Sequence, residues 1–122
     1  MNNRSIVLRK SGGFYQVFDD DALIISYLFD YKINNYRCGF PINSLNKVIN
    51  ILEDKCINYI IKDENNESKD FKKKNNYLKF LEKSKVKDNI NNRVNNILNK
   101  LKDLDKNKLN DILSIIEEYL YE

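Results

Sequence analysis

The chain of 122 residues offers few groups that could do chemistry, and it contains no histidine. A general base that works near neutral pH would have to be a carboxylate or a lysine with a shifted pKa, and no pattern points to one. The consecutive acids Asp19, Asp20 and Asp21 could attract a metal ion, but no other ligand cluster lies near them in sequence. Capping of a helix explains them better, because acids suit the positive N-terminal end of the helix dipole. We therefore predict no enzymatic activity, no metal site and no cofactor.

The two thiols, Cys38 and Cys56, are far apart in sequence, in a chain long enough to form a core without cross-links. We interpret them as reduced and structural. The longest apolar runs, such as residues 23–25 and 59–61, are far shorter than the ~20 residues that a membrane-spanning helix needs. The N-terminus shows no secretory signal. These features predict a cytoplasmic protein without a membrane partner.

The formal net charge is only +3, which is weak for a domain whose main task is to grip phosphates. The distribution of charge is more informative, because residues 69–87 contain eight lysines against two acids. Residues 103–122 contain six acids against two lysines. The run Lys72, Lys73 and Lys74 is typical of a solvated surface, with phosphate contact as the alternative.

The elements that would position any functional residues begin with a hairpin. Residues 6–8 and 14–18 are rich in β-branched and aromatic side chains and flank a turn-forming Ser-Gly-Gly. A helix over residues 22–31 follows, and its nearly all-apolar composition predicts burial on most faces. Two short strands are then expected at residues 32–36 and 38–40, around a turn at Asn34 and Asn35.

The remaining elements of the first half are a helix and a strand. Leu45, Val48, Ile49 and Leu52 share one helix face. Residues 57–62 alternate as a strand does, and a polar loop is expected over residues 63–68. The order β-β-α-β-β-α-β predicts the α+β class, with a small mixed β-sheet and flanking helices as one domain over residues 1–68.

Residues 69–122 are expected to form a helical C-terminal extension. The apolar residues Ile90, Val94, Ile97, Leu101 and Leu104 alternate in spacings of four and three, which is typical of a coiled-coil seam. A second seam contains Leu109, Ile112, Leu113, Ile116 and Leu120. Together they predict an antiparallel helical hairpin.

Two motifs in the first half resemble a known family. Residues 12–22 read Gly-Gly-Phe-Tyr-Gln-Val-Phe-Asp-Asp-Asp-Ala. They resemble, position by position, the segment of the MutS N-terminal mismatch-recognition domain (domain I) in which Gly-Asp-Phe-Tyr-Glu precedes an apolar residue, Phe and an acidic-Asp-Ala helix start. Residues 38–41, Cys-Gly-Phe-Pro, resemble that domain's Cys-Gly-apolar-Pro turn. The resemblance covers residues 6–63 and implies a stand-alone MutS domain I-like fold.

The resemblance assigns roles to Phe14 and Gln16. In the MutS family the Phe of this motif wedges into the minor groove beside a mispaired base, and the Glu two positions later hydrogen-bonds that base. Residues two apart on a strand share one face, so a wedge at Phe14 would stand beside a base reader at Gln16. Wedge insertion costs ~ a few kcal/mol of unstacking per step, and least where a mismatch has already weakened the step. The alternatives are that Phe14 is a core aromatic and Gln16 an ordinary surface residue.

The chain departs from the family pattern at two positions. Gly13 replaces the family's Asp, and Gln16 replaces the Glu that contacts the base. A neutral amide can still donate and accept hydrogen bonds, and it removes the repulsion between a carboxylate and phosphates. We therefore expect tighter and less discriminating binding. The phosphate-binding loop of a repair ATPase is absent from the sequence.

The resulting hypothesis is a DNA-binding module for mismatched, bent or otherwise distorted duplex DNA, with a place in DNA mismatch repair. Phe14 and Gln16 would meet the bases, while Arg4, Arg9, Lys10 and Arg37 would contact backbone phosphates. The alternative is a protein interaction module that keeps the fold without DNA contact and uses its C-terminal helices. The two apolar seams need a partner, so they either cover the sheet layer or form a homodimer. We favour the homodimer, because the MutS family itself works as a dimer around DNA and linked sites gain avidity.

Overall fold

The computed structural model describes residues 3–121 and contains five strands and four helices among them. The strands are β1 (Ile6–Ser11), β2 (Phe14–Phe18), β3 (Arg37–Pro41), β4 (Tyr59–Lys62) and β5 (Ser68–Lys69). The helices are α1 (Asp19–Phe29), α2 (Leu45–Asp54), α3 (Tyr77–Lys102) and α4 (Lys106–Tyr121). The chain is therefore α+β, as the sequence predicts. No helix in the described part of the chain is long and apolar enough to cross a membrane.

The five strands form one mixed sheet in the order β3-β2-β1-β4-β5. Strand β1 pairs antiparallel with β2 and parallel with β4. Strand β2 also pairs antiparallel with β3, and β4 pairs antiparallel with the short β5. The parallel β1–β4 pair places the strand that follows α2 directly beside the N-terminal hairpin.

The strand predicted at residues 32–36 does not form, and that prediction is wrong. Asn34 and Arg37 make only an isolated bridge, in which each backbone N–H donates to the other residue's carbonyl at 2.8 and 3.2 Å. Asn35 and Tyr36 between them adopt positive φ angles of 53° and 61°. This tight turn leaves no extended chain before β3. A second difference is β5, which begins at Ser68, where only a loop is expected.

Helix α1 begins and ends earlier than predicted. It starts at Asp19, directly after β2, and stops where Asp30 adopts a left-handed φ of 59° and its N–H donates to the Ser26 carbonyl. Asp19, Asp20 and Asp21 do occupy the first turn, but α1 has no side-chain cap hydrogen bond. The predicted position of the three acids at the helix start is therefore confirmed, but the predicted side-chain cap does not form.

Asp21 instead joins three elements of the fold. One carboxylate oxygen accepts from the Val7 N–H at 3.0 Å, and the other accepts from the Tyr77 hydroxyl at 2.5 Å. Burial raises the pKa of Asp21, and these two hydrogen bonds partly offset that effect. Burial and the hydrogen bond to Asp21 raise the pKa of Tyr77 in turn. The start of α1 is thus tied to β1 and to the start of α3.

One face of the sheet contains the hydrophobic core. Side chains alternate along each strand, and one set is buried together with residues of α1, α2 and the first turns of α3. Val48 and Leu52 are buried on α2, and Leu45 and Ile49 pack against the same core, which confirms the predicted helix face. The buried strand residues are Ile6, Leu8, Tyr15, Val17, Cys38, Phe40, Tyr59 and Ile61.

The chain divides into two compact units, Met1–Lys87 and Asp88–Glu122. The first unit extends beyond the boundary predicted between residues 68 and 69, because Tyr77, Phe80 and Leu81 of α3 are buried in its core. The second unit contains the rest of α3 and all of α4. Asp105 accepts a hydrogen bond from the Lys108 N–H at 2.9 Å, which caps the first turn of α4.

Candidate nucleic-acid interface

The sheet face opposite the core is the candidate interface, and we call it the open face. Its residues alternate with the buried strand residues, and all of them are half-buried or exposed. Strand partners share a face, so the registers of the five strands define the set. The open face consists of Val7, Arg9, Ser11, Phe14, Gln16, Phe18, Arg37, Gly39, Pro41, Ile60, Lys62 and Ser68.

A row of polar and basic residues crosses the open face. Gln16 lies opposite Gly39 on one side and opposite Arg9 on the other, and Arg9 lies opposite Lys62. Neighbouring strands are ~4.8 Å apart, so the row spans roughly 14 Å. Gln16 therefore has Arg9 as its neighbour on one side and, on the other side, Gly39, which has no side chain.

Gly39 leaves an open position beside Gln16. A Cβ atom there would come within 3.2 Å of the Tyr15 carbonyl oxygen and 3.9 Å of the Gln16 Cγ. Because Gly39 has no side chain, a depression of about 380 Å³ opens beside Gln16, lined also by Phe14 and Arg37. The depression gives a ligand access to the Gln16 side chain from the β3 side.

Phe14 is at one end of the open face, as the first residue of β2 after the Gly12–Gly13 turn. It is 54% exposed, so it is not a member of the hydrophobic core. The Ile42 N–H donates a hydrogen bond to the Gly13 carbonyl at 3.1 Å, which holds the turn against the residue that follows β3. The structure thus places Phe14 and Gln16 on one face, two residues apart, with the aromatic ring at the rim.

An aromatic layer beneath the open face supports β2 and β3. The Tyr15 and Phe40 rings stack with centroids 5.8 Å apart, and the Tyr31 ring stacks on Phe40 at 6.0 Å. The Tyr15 hydroxyl donates to Asp63 at 2.8 Å. Burial, followed by this hydrogen bond, raises the pKa of Tyr15 to about 12, so the hydroxyl stays a donor at neutral pH. The backbone that presents Phe14 and Gln16 is therefore anchored from the core side.

The charge on the open face is positive. Arg9, Arg37 and Lys62 belong to it, and none of its residues is acidic. Within residues 3–121, the ion pairs found within 4.0 Å involve none of these three cations. The three acids in the first turn of α1 line a depression with Arg9 and Phe18 at one edge of this face, so they partly offset its positive charge there.

Two predicted phosphate contacts are placed differently by the structure. Lys10 is opposite Tyr15, which points into the core, so Lys10 emerges on the face away from Phe14 and Gln16. Its Nζ forms an ion pair with Glu64 at 2.9 Å, which lowers the pKa of that carboxyl. Lys10 therefore does not share a face with Phe14 and Gln16, because adjacent strand residues point to opposite faces.

Arg4 lies beyond the start of β1 and is engaged within the protein. Its guanidinium pairs with Asp20 at 2.9 Å, donates to the Tyr77 hydroxyl at 3.1 Å and lies 4.6 Å from the Tyr77 ring centroid. The hydrogen bond to Asp20 raises the pKa of Arg4. Arg4 thus joins the Asp21 network, and a phosphate there would have to compete with Asp20.

Sequence reasoning overlooked two residues of this surface. Lys62 reaches it through the parallel pairing of β1 with β4, which no local pattern reveals. The sequence indicates Gly39 only as part of a turn motif, yet its position opposite Gln16 opens the depression. The alternation of residues 57–62 already placed Lys62 on the face away from Tyr59 and Ile61, and this was the one available signal.

The comparisons with known proteins give no relative for this surface. No protein-family model matches the sequence, and no curated protein matches it. Within the described residues 3–121, no group of three or more His, Cys, Asp or Glu side chains could hold a metal ion. The geometry of the open face is therefore the basis for a functional assignment.

Proposed function

We propose that this chain is a non-catalytic DNA-binding module, a stand-alone relative of MutS domain I, that recognises mismatched, bent or otherwise distorted duplex DNA. Phe14 acts as the wedge, and Gln16 contacts the edge of the destabilised base. Arg9, Arg37 and Lys62 contact phosphates. The observation that supports this most directly is a half-exposed Phe at the rim of a sheet face that carries three cations, two residues from a polar side chain.

The position of Phe14 suits insertion into a base step. A side chain that inserts between bases must reach out from the protein surface without disturbing the core. Phe14 can do so because it follows a glycine turn at the end of the hairpin. Unstacking a step costs ~ a few kcal/mol, and less at a mismatch. Discrimination then comes from the difference in that cost between matched and mismatched DNA.

Gln16 suits the role of base reader through its neighbours. Its amide can donate to one base atom and accept from another. Arg9 beside it adds a positive charge close to the base site, and the depression at Gly39 leaves one flank open. Minor-groove edges present mainly acceptors at A·T pairs, so an amide donor is well matched to them.

The test is fluorescence anisotropy with labelled matched duplex, single-mismatch duplex and single-stranded oligonucleotides over a range of salt concentrations. Three phosphate contacts predict that log K against log salt falls with a slope of about −3 on duplex DNA. The mismatched duplex should bind tighter than the matched one at every salt concentration.

Arg9 and Lys10 offer a matched pair of variants. They are adjacent on β1, each carries one charge, and they point to opposite faces. Arg9→Gln should weaken binding to all duplexes and reduce the salt slope by about 0.9, whereas Lys10→Gln should leave both unchanged. Equal losses of DNA affinity in the two variants would mean that binding depends on the overall charge of the protein and not on the open face. A complete lack of salt-dependent DNA binding would refute the proposal and favour the protein interaction module.

A further inference from the structure

The second unit, Asp88–Glu122, presents an apolar surface that nothing within it covers. Helix α4 contains no buried residue, although it is 16 residues long. On α3, burial ends at Ser84, before this unit begins. The exposed large apolar side chains of the unit are Ile90, Val94, Ile97, Leu98, Leu113, Ile115, Ile116, Tyr119, Leu120 and Tyr121. This many exposed large apolar side chains on two neighbouring helices mark an interaction site.

Coverage within the hairpin is confined to the end near its turn. Leu101, Leu104, Leu109 and Ile112 flank the turn and are half-buried. Further from the turn the same two seams are open, since Ile90 is 49% and Leu120 64% exposed. Helices α3 and α4 do not pack closely against each other along their length, so neither helix covers the seam of the other away from the turn.

The hairpin also has opposite charges at its two ends. At the turn, Lys100, Lys102, Lys106 and Lys108 outnumber Asp103 and Asp105. At the other end, Asp88, Glu117 and Glu118 outnumber Arg93 within the unit, and Lys87 just before Asp88 is already paired with an acid of the first unit. A second hairpin laid antiparallel would bring each basic turn end against an acidic open end. A parallel arrangement would bring like charges together.

We propose that two copies of this chain associate through their hairpins, antiparallel, to form a four-helix bundle with a twofold axis. The seam spacing of four and three residues on α3 is that of helices packed at a shallow angle. The two arms are matched in length, at ~1.5 Å per residue over 15 and 16 residues. Each hairpin carries both charged ends, so it is complementary to a copy of itself, as a twofold interface requires.

This inference is independent of the proposed DNA binding, because it concerns only the second unit and needs no ligand. Light scattering of the full-length chain during size-exclusion chromatography should give twice the 14.5 kDa mass of one chain at micromolar concentration. A mass of one chain that persists at ~100 µM, a concentration that would saturate any micromolar association, would overturn the proposal. A species larger than two chains would also overturn the closed twofold bundle.

Ile97→Asp tests whether the seam is the interface. A carboxylate in the middle of an apolar seam should raise the dimer dissociation constant at least ~100-fold. Asn99→Asp is the control, because it adds the same charge to the same helix two residues away, on the opposite side from the seam. An unchanged dissociation constant for Ile97→Asp would place the contact elsewhere and contradict the proposal.

Charge reversal tests the antiparallel arrangement and keeps the helices stable. Lys106→Glu with Lys108→Glu, or Glu117→Lys with Glu118→Lys, should each weaken the dimer ~10-fold or more in low salt. Combining all four substitutions should restore it. These changes place acids at the N-terminus and lysines at the C-terminus of α4, which favours the helix. If the two-residue variants dimerise as well as the wild type, the antiparallel arrangement is wrong.

Discussion

Replacement of Phe14 by alanine tests whether Phe14 acts as a wedge or as a core residue. Phe14 is 54% exposed, so a little under half of its side chain is covered in the folded chain. Full burial of a large apolar side chain is worth ~1.5 to 3 kcal/mol, so truncation at this site should cost about 1 kcal/mol of the free energy of unfolding. Phe40→Ala is the comparison, because Phe40 is 1% exposed and should cost ~3 to 5 kcal/mol.

The same substitution should remove the preference for mismatched DNA. Stacking of one aromatic side chain on a base is worth ~1 to 3 kcal/mol, which corresponds to a factor of ~5 to 150 in affinity. The ratio of mismatched to matched affinity should therefore fall to about one in Phe14→Ala. Affinity for the matched duplex should change little, because phosphate contacts remain.

Urea denaturation and fluorescence anisotropy measure the two quantities on the same preparations. Phe18→Ala is the matched control for binding, because Phe18 lies on the same strand and face but at the opposite end, where it is 38% exposed. It should keep the mismatch preference. A cost of ~3 kcal/mol or more for Phe14→Ala would make Phe14 a core residue. A wild-type mismatch preference in Phe14→Ala would equally refute the wedge.

Two further substitutions test the site and its supporting network. Gln16→Glu should lower affinity for every duplex at low salt, because a carboxylate repels phosphates, while raising the ratio of mismatched to matched affinity. Anisotropy measures both, and equal affinities for the variant and the wild type would exclude base contact at residue 16. Asp21→Asn should change the dependence of stability on pH. Burial raises the pKa of Asp21 above its ordinary 3.8, so the wild type loses stability relative to the variant as the pH rises from there through the raised value. Urea denaturation at several pH values measures this difference, and a difference that stays constant with pH would contradict it.

Much of the local structure could be predicted from residue patterns. The hairpin, α1, α2 and the strand after α2 all form close to their predicted positions, because alternation and helical spacing are local properties of the chain. The strand expected at residues 32–36 does not form, for a reason that the alternation of residues does not reveal. Its segment contains two residues in left-handed conformations, Asn35 and Tyr36, and closes on Arg37 as a tight turn.

That Phe14 and Gln16 share a face follows from the strand pattern alone, because side chains two apart on a strand always do. The apolar seams of α3 and α4 are likewise visible in the residue spacing. Which cations lie beside Phe14 and Gln16 depends on how the strands pair across the whole fold. Arg9 and Lys10 are neighbours in sequence, yet the pleat of the strand places Arg9 on the open face and Lys10 on the opposite face, where it pairs with Glu64. Lys62 arrives beside Arg9 through a pairing between distant segments. Such pairings depend on how the whole core closes, so local patterns do not contain them.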